Sequence, residues 1–171
     1  MRGTEDCSDF MNSSKFCMDE VCFEGVSGEN IQKLKTLNQV IFPINYPERV
    51  YNDILACGEI SQIAHLRGKV VGGISCRLEN TPEGPILYII TLGVLAPYRN
   101  LGLGSKLLDT CLDTIRTCLP EVGRARLHVQ VSNEDAIRFY LKHGFVILET
   151  VRNYYIKVKP RDAVLLESKL N

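Results

Sequence analysis

The chain has 171 residues, 45% apolar and 23% charged, a composition able to bury one sizeable core without disulfide or metal staples. Its 20 basic and 20 acidic residues cancel, and no basic block runs longer than two, so a nucleic-acid-binding face is not supported. No apolar run approaches the roughly 20 residues of a membrane span, and the opening MRGTEDCSDFMNSSKF lacks the apolar centre of a secretory signal. Residues 1–15 read as a polar, flexible tail and residues 16–171 as a single domain. Seven cysteines, at 7, 17, 22, 57, 76, 111 and 118, form no CxxC pair, and three scattered histidines add no ligand spacing. No metal is expected; the cysteines read as reduced thiols, with Cys111 and Cys118 as core packing.

In chain order, FCMDEVCFEGV (16–26) mixes β-formers with charges and predicts a first strand. Ser27 stands as the cap of a helix from Gly28 to Gln39, with Ile31, Leu34, Leu37 and Val40 at helical spacing. Pro43 and Pro47 then hold FPINYP (42–47) in an extended loop. A helix follows from Pro47 to Ala56, with Gly58 near its end. Strands at 62–66 and 70–79 meet at the tight turn Arg67-Gly68-Lys69. The stretch from Ile86 to Leu95 is apolar on both faces, as a central strand is. Behind it, Leu107, Leu108, Cys111, Leu112, Ile115 and Leu119 form one helical stripe. RLHVQV (126–131) gives the next strand, parallel to the one before the crossover helix. SNEDAIRFYLKHGF predicts a further helix, with Ser132 and Asp135 as a capping box and Gly144 as its stop. VILETV, the loop RNYYIKVKP and the strand DAVLLESKL complete a mixed α/β order.

Between the apolar strand and the apolar stripe lies APYRNLGLGSKLL (96–108). A P-loop needs GxxxxGK[ST], and a dinucleotide fingerprint needs GxGxxG; both fail here on spacing. What remains is R-x-x-G-x-G, Arg99 to Gly104. Its glycines let several backbone N–H groups converge, and the helix start behind them adds the positive end of its dipole. Arg99 adds a charge-assisted partner, and the set suits a pyrophosphate. On these six residues alone, a plain strand-to-helix connection is the alternative.

Taken with N-x-x-A-x-x-x-Y-x-x-x-G-F from Asn133 to Phe145, this motif resembles the paired acetyl-coenzyme A motifs of the GCN5-related N-acetyltransferases (GNAT). FPINY (42–46), LYIITLGVLAPYRNLGLGSKLL, LHVQVSNEDAI and RNYYIKVKPRDA extend the similarity over residues 20–170, to the catalytic subunits of NatE-type N-terminal acetyltransferases. The resemblance implies a GNAT fold: α/β, with a mixed twisted central sheet of about seven strands and about four helices. It implies acetyl-CoA as co-substrate, with Arg99, Asn100, Leu101, Gly102, Leu103, Gly104 and Ser105 around the pyrophosphate. The backbone from Leu92 to Val94 would pair with the pantetheine arm, Asn133 would cap the helix, contact the pantetheine or do both, and Tyr140 would lie near the thioester sulfur. The implied partners are peptide N-termini of nascent proteins and, at the ribosome, NatA-type auxiliary and catalytic subunits. No nucleic acid or membrane partner is implied, and the expected location is the cytoplasm, with the nucleus as a further one.

Acetyl transfer to an amine needs the neutral amine, and a peptide α-amine with a pKa of about 7.7–8.0 is mostly protonated at pH 7, so a base helps. His128 has the right intrinsic range. Tyr88 is a poor direct base, but its hydroxyl can order a water. The resemblance implies that Tyr88 and His128 jointly hold a water that takes the amine's proton. Without it, Tyr88 on its apolar strand reads as plain core packing, and a satisfied core histidine is the alternative for His128. No cysteine has the context of a covalent intermediate, which favours direct transfer. For the acceptor, Phe42, Pro43 and Ile44 make an apolar wall, Tyr46 can hydrogen-bond backbone, and Tyr154 and Tyr155 can close over a peptide from the other side. Such a pocket rewards a methionine over serine or alanine. By the resemblance, Ile44 stands near where relatives acting on small, processed N-termini carry a glutamate. The expected substrate therefore keeps its initiator Met and has an apolar second residue. Lysine side-chain acetylation, or a mainly structural role in a ribosome-associated complex, are the alternatives.

Overall fold

The computed structural model describes residues 18–170, so the N-terminal tail and the start of the predicted first strand lie outside the described residues. Seven strands form one sheet: β1 (Val21–Gly25), β2 (Gln62–Leu66), β3 (Lys69–Thr81), β4 (Gly84–Val94), β5 (Arg124–Gln130), β6 (Val146–Val151) and β7 (Ala163–Lys169). Their spatial order is β1-β2-β3-β4-β5-β7-β6, which puts the doubly apolar β4 in the middle. Four helices accompany them: α1 (Ile31–Ile41), α2 (Glu48–Ala56), α3 (Leu103–Cys118) and α4 (Glu134–Lys142). Neighbouring strands are antiparallel except β4 and β5, which α3 connects as a crossover and which are parallel. This is the mixed α/β architecture that the resemblance implied.

Helices cover both faces of the sheet. Leu107, Leu108, Cys111, Leu112 and Ile115 of α3 are buried against Leu87, Ile89, Leu127, Tyr140 and Leu166. On the opposite face, Leu34 and Leu37 of α1 and Tyr51 and Ile54 of α2 pack with Val26 and Ile63. A fully buried Leu or Ile contributes about 1.5–3 kcal/mol relative to exposure, against about 0–1 kcal/mol for a surface ion pair, so these two clusters hold the layers together. The hairpin between β2 and β3 turns on Arg67 and Gly68, both with left-handed φ (49° and 78°), the geometry that suits the sheet's twist.

Local punctuation differs from expectation at four places. The chain enters β1 only at Val21, after a 3-10 turn at Met18–Glu20. Ser27 does not cap α1, which begins at Ile31. The buried Asn30 organises the entry instead, its Oδ1 accepting from Ser27 N–H and its Nδ2 donating to the Gly25 carbonyl, both at 2.8 Å. At α4 the cap is Asn133, as its alternative reading expected, its Oδ1 accepting from Ala136 N–H at 3.2 Å. Asp135 turns to Arg138 at 2.6 Å, so no Ser132–Asp135 box forms. Finally, Cys111 is buried but Cys118 is exposed; Leu119 packs against the core at that helix end in its place.

Two irregularities of the sheet position the site. Between β3 and β4, Ser75 pairs with Thr91 and Cys76 with Ile89, leaving Ile90 as an extra, bulged residue. Between β4 and β5, pairing covers only Ile86–Tyr88 against Arg124–Arg126. Beyond that point β4 stays paired to β3 as far as Val94, and β5 to β7 as far as Gln130. The facing edges of residues 89–94 and 127–130 therefore border a cleft.

Candidate active site

Two adjoining cavities occupy the cleft. The first, about 440 Å3, lies between residues 89–92 of β4 and 127–130 of β5. Phe42, Pro43, Ile44 and Tyr46 wall it on one side, and Tyr155, Val158 and Lys159 of the β6–β7 loop on another; Asn133, Ala136 and Tyr140 border it from α4. The second, about 800 Å3, runs past Leu92, Gly93 and Val94 to Arg99, Asn100 and Gly104, with Phe139 and Tyr140 opposite.

The second cavity ends on a backbone cradle. Asn100 and Gly102 take left-handed φ values of 61° and 84°, which swing the chain from the end of β4 into α3. A side chain at Gly102 would be strained by that φ and would press on the Met18 methyl at 3.3 Å. The first intrahelical bond runs from Lys106 N–H to Gly102 O, so the N–H groups of Leu103, Gly104 and Ser105 have no partner within the helix. With the helix dipole behind them they suit an anion. Arg99 donates from Nε to the Val94 carbonyl at 2.9 Å, which holds its exposed guanidinium at the cavity wall. Leu92 and Val94 are half-buried walls of the same channel.

Other predicted donor-side residues serve differently. Leu103 is buried in the core and offers only its backbone, while Leu101 lines a separate recess with Arg67 and Tyr98. The Ser105 hydroxyl bonds His143 Nε2 at 3.0 Å, and His143 Nδ1–H donates to the Phe139 carbonyl at 2.7 Å. His143 thus ties the end of α4 to the start of α3, a link its place beside Gly144 did not signal. Tyr140 is buried, and burial holds its phenol well above the ordinary range, hence neutral. Residues 103–105 and Arg99 fit a pyrophosphate. The unpaired backbone edges along the channel fit an extended arm that carries amides, so the site fits acetyl-CoA.

Beside the first cavity, which His128 lines, three side chains meet. The Tyr88 hydroxyl lies 2.8 Å from His128 Nδ1 and 3.0 Å from the Tyr154 hydroxyl, and the Tyr154 ring stacks on His128 at 4.1 Å and 12°. Arg77, held by Glu79 at 2.7 and 2.5 Å, lies over the Tyr88 ring at 4.7 Å. Burial drives the Tyr88 phenol far above its ordinary range. Burial also lowers the His128 pKa, with Glu79 and Glu149 opposing the shift. Tyr88 and His128 thus touch directly, which leaves no room for a water between those two atoms. Tyr154, expected as a wall for the peptide, belongs to this trio, whereas Tyr155 does line the cavity. Tyr46 is pushed up to about 12 by burial and by Tyr155, Tyr51 and Tyr154.

Val158, Lys159, Gln130 and the bulged Ile90 also line the first cavity, and sequence reading passed over all four. For Val158 and Lys159 the available signal was their place just beyond the tyrosine pair. Among the described residues no group of three His, Cys, Asp or Glu side chains could hold a metal, and no helix is long and apolar enough to cross a membrane.

A two-part cleft with an anion cradle in one part and a tyrosine–histidine cluster beside the other is the layout of an acyl-group transferase. Residues 31–145 match the model of the Acetyltransferase (GNAT) family, and the chain belongs to that family. Within it, the chain is 45% identical over 147 residues to N-alpha-acetyltransferase 50 of Danio rerio, covering 85% of this chain and 86% of that protein. It is 40% identical over 145 residues to the probable N-acetyltransferase san of Drosophila melanogaster, covering 85% and 78%. Among solved structures it resembles Arabidopsis thaliana Naa50 in complex with the bisubstrate analogue CoA-Ac-MVNAL: TM-score 0.81, 44% identity, 87% of this chain and 98% of that one. The similarity agrees with the NatE-type resemblance carried by FPINY and the tyrosine pair.

Proposed function

We propose that this chain transfers acetyl from acetyl-CoA directly to the α-amine of peptides that retain the initiator Met and carry an apolar second residue. The observation that carries this reading is the Tyr88–His128–Tyr154 cluster, whose His128 lines a cavity walled by Phe42, Pro43, Ile44 and Tyr46 that adjoins the donor channel. The similarity to Danio rerio N-alpha-acetyltransferase 50 supports the reaction. The peptide of the Arabidopsis complex, MVNAL, begins with Met and an apolar residue, which supports the acceptor class.

In this reading Arg99 and residues 100–105 hold the pyrophosphate, and Leu92 to Val94 hold the pantetheine arm. The acceptor's apolar first residues rest against Phe42, Pro43, Ile44 and Val158, with Tyr46 and Tyr155 on its backbone. A water held at the rim of the Tyr88–His128 pair takes a proton from the ammonium and passes it to the imidazole, which its lowered pKa keeps neutral at pH 7. The amine nitrogen then attacks the thioester carbonyl, the amide bond forms as the carbon–sulfur bond breaks, and the second N–H proton leaves the nitrogen to replace the one that Tyr140 gives to sulfur. The neutral Tyr140 phenol stands ready to protonate the departing thiolate. Acceptors are then nascent chains in the cytoplasm, with the nucleus as a second location and NatA-type subunits at the ribosome as partners.

Purified protein, acetyl-CoA and a panel of Met-Leu, Ser, Ala and internal-lysine peptides test this. Met-Leu peptides are expected to be acetylated fastest. Failure to acetylate any free N-terminus above background overturns the reading, while a preference for Ser or Ala starts removes the pocket argument and keeps the enzyme class.

A further inference from the structure

The loop that closes the acceptor cavity carries more charge than its apolar lining calls for. Residues 152–162 hold four cations, Arg152, Lys157, Lys159 and Arg161, against one acid, Asp162, in a chain whose 20 basic and 20 acidic residues cancel overall. Asp162 is engaged, its Oδ1 accepting the Asn153 N–H at 2.8 Å. Among the described residues, no ion pair engages any of the four cations.

The loop is also tied down around Lys159. Tyr155 N–H donates to the Arg161 carbonyl at 2.8 Å, Gln130 Nε2 to the Pro160 carbonyl at 2.7 Å, and Val131 N–H to the Asp162 carbonyl at 3.0 Å. These bonds fix the main chain beside an exposed lysine that lines the cavity together with Val158. The methionine and apolar second residue of the acceptor consume the apolar wall. The donor channel occupies the cleft's other exit, so the rest of the peptide must leave past this loop.

We infer that Lys159 is a specificity-determining residue, selecting acceptors with an acidic side chain at the third or fourth position. The inference rests on the N-terminal acetyltransferase reading above and goes beyond it in naming the downstream charge. The rim is wet, so the attraction is screened by salt and sets a preference of about three- to tenfold rather than an absolute requirement.

The test is kcat/KM for Met-Leu peptides that carry Asp, Gly or Lys at position three, and separately at position four, at low and high salt. The acidic peptide should lead the lysine peptide about three- to tenfold at one of the two positions, and the lead should shrink at high salt. Lys159→Gln should erase the lead and Lys159→Glu should reverse it. Each ratio is taken within one protein, so damage common to all peptides cancels. Equal rates across the series, or an unchanged ratio in Lys159→Glu, overturn the inference while leaving the enzyme reading intact. A preference for lysine also overturns it, making Glu79 and Glu149 the dominant charges. Absence of turnover on every Met-Leu peptide overturns both.

Discussion

The two ends of the cleft are made in different ways. In the proposed reading, one continuous stretch, from Leu92 into the first turn of α3, forms the gripping wall of the donor end and offers mainly backbone. Leu103 can face the core and Leu101 another recess because only their main chain is needed, provided Gly102 keeps its left-handed φ. The acceptor end gathers Phe42–Tyr46, Tyr88, His128 and Tyr154–Lys159 from four separated segments and acts through side chains. A group donor can thus be gripped by a portable local motif, whereas the choice of acceptor depends on how the whole sheet assembles.

Substitutions at the two ends should separate binding from chemistry. The largest effect is expected from His128→Ala, with kcat falling about 10²–10⁴-fold as for loss of a general base. Coenzyme affinity, measured by calorimetry, should stay close to that of the unchanged protein. Loss of both together would make His128 structural and dissolve the distinction. Because burial disfavours the imidazolium, the neutral base persists to lower pH. The acid limb of kcat should therefore have its midpoint below about 6.5, the ordinary histidine value, and a midpoint above it would contradict the assignment. Arg99→Ala should show the opposite split. Coenzyme Kd should weaken about tenfold with the loss of a charge-assisted bond, with kcat at saturating donor little changed. Tyr154→Phe is the smallest and most local change. It removes the 3.0 Å contact with Tyr88 and keeps the stack on His128. A fall in kcat of about two- to tenfold is expected from one hydrogen bond, with KM for a Met-Leu peptide unchanged. A change in KM alone would return Tyr154 to the peptide wall.

The same contrast explains what the sequence made legible. The glycine motif, the α3 stripe and the doubly apolar β4 are local patterns, and each predicts its element because the relevant neighbours lie within a few turns of chain. Asn30 displaced Ser27, and the Asn133 cap prevailed over the Ser132–Asp135 box, because a cap depends on which side chain the backbone geometry aims at the free N–H groups, and several candidates stood within three residues. Tyr88 and His128 were recognisable as a pair only through the family resemblance. The contact of Tyr154 with them was invisible, since stacking depends on how the β6–β7 loop folds back. The bulge at Ile90 and the early end of the β4–β5 ladder left no trace either, because an unmade backbone hydrogen bond has no side-chain signature.

That unmade ladder has a consequence for affinity. β3 and β7 already satisfy the outer edges of β4 and β5, so the inner edges stand open in a sheet that the two cores keep stiff. A guest entering the seam finds its partners preorganised, and the ordering entropy of those strands was incurred during folding rather than at the moment of association. Residues 89–94 and 127–130 frame, in effect, the slot of one missing strand, the shape that an extended, amide-bearing molecule would fill in the proposed reading.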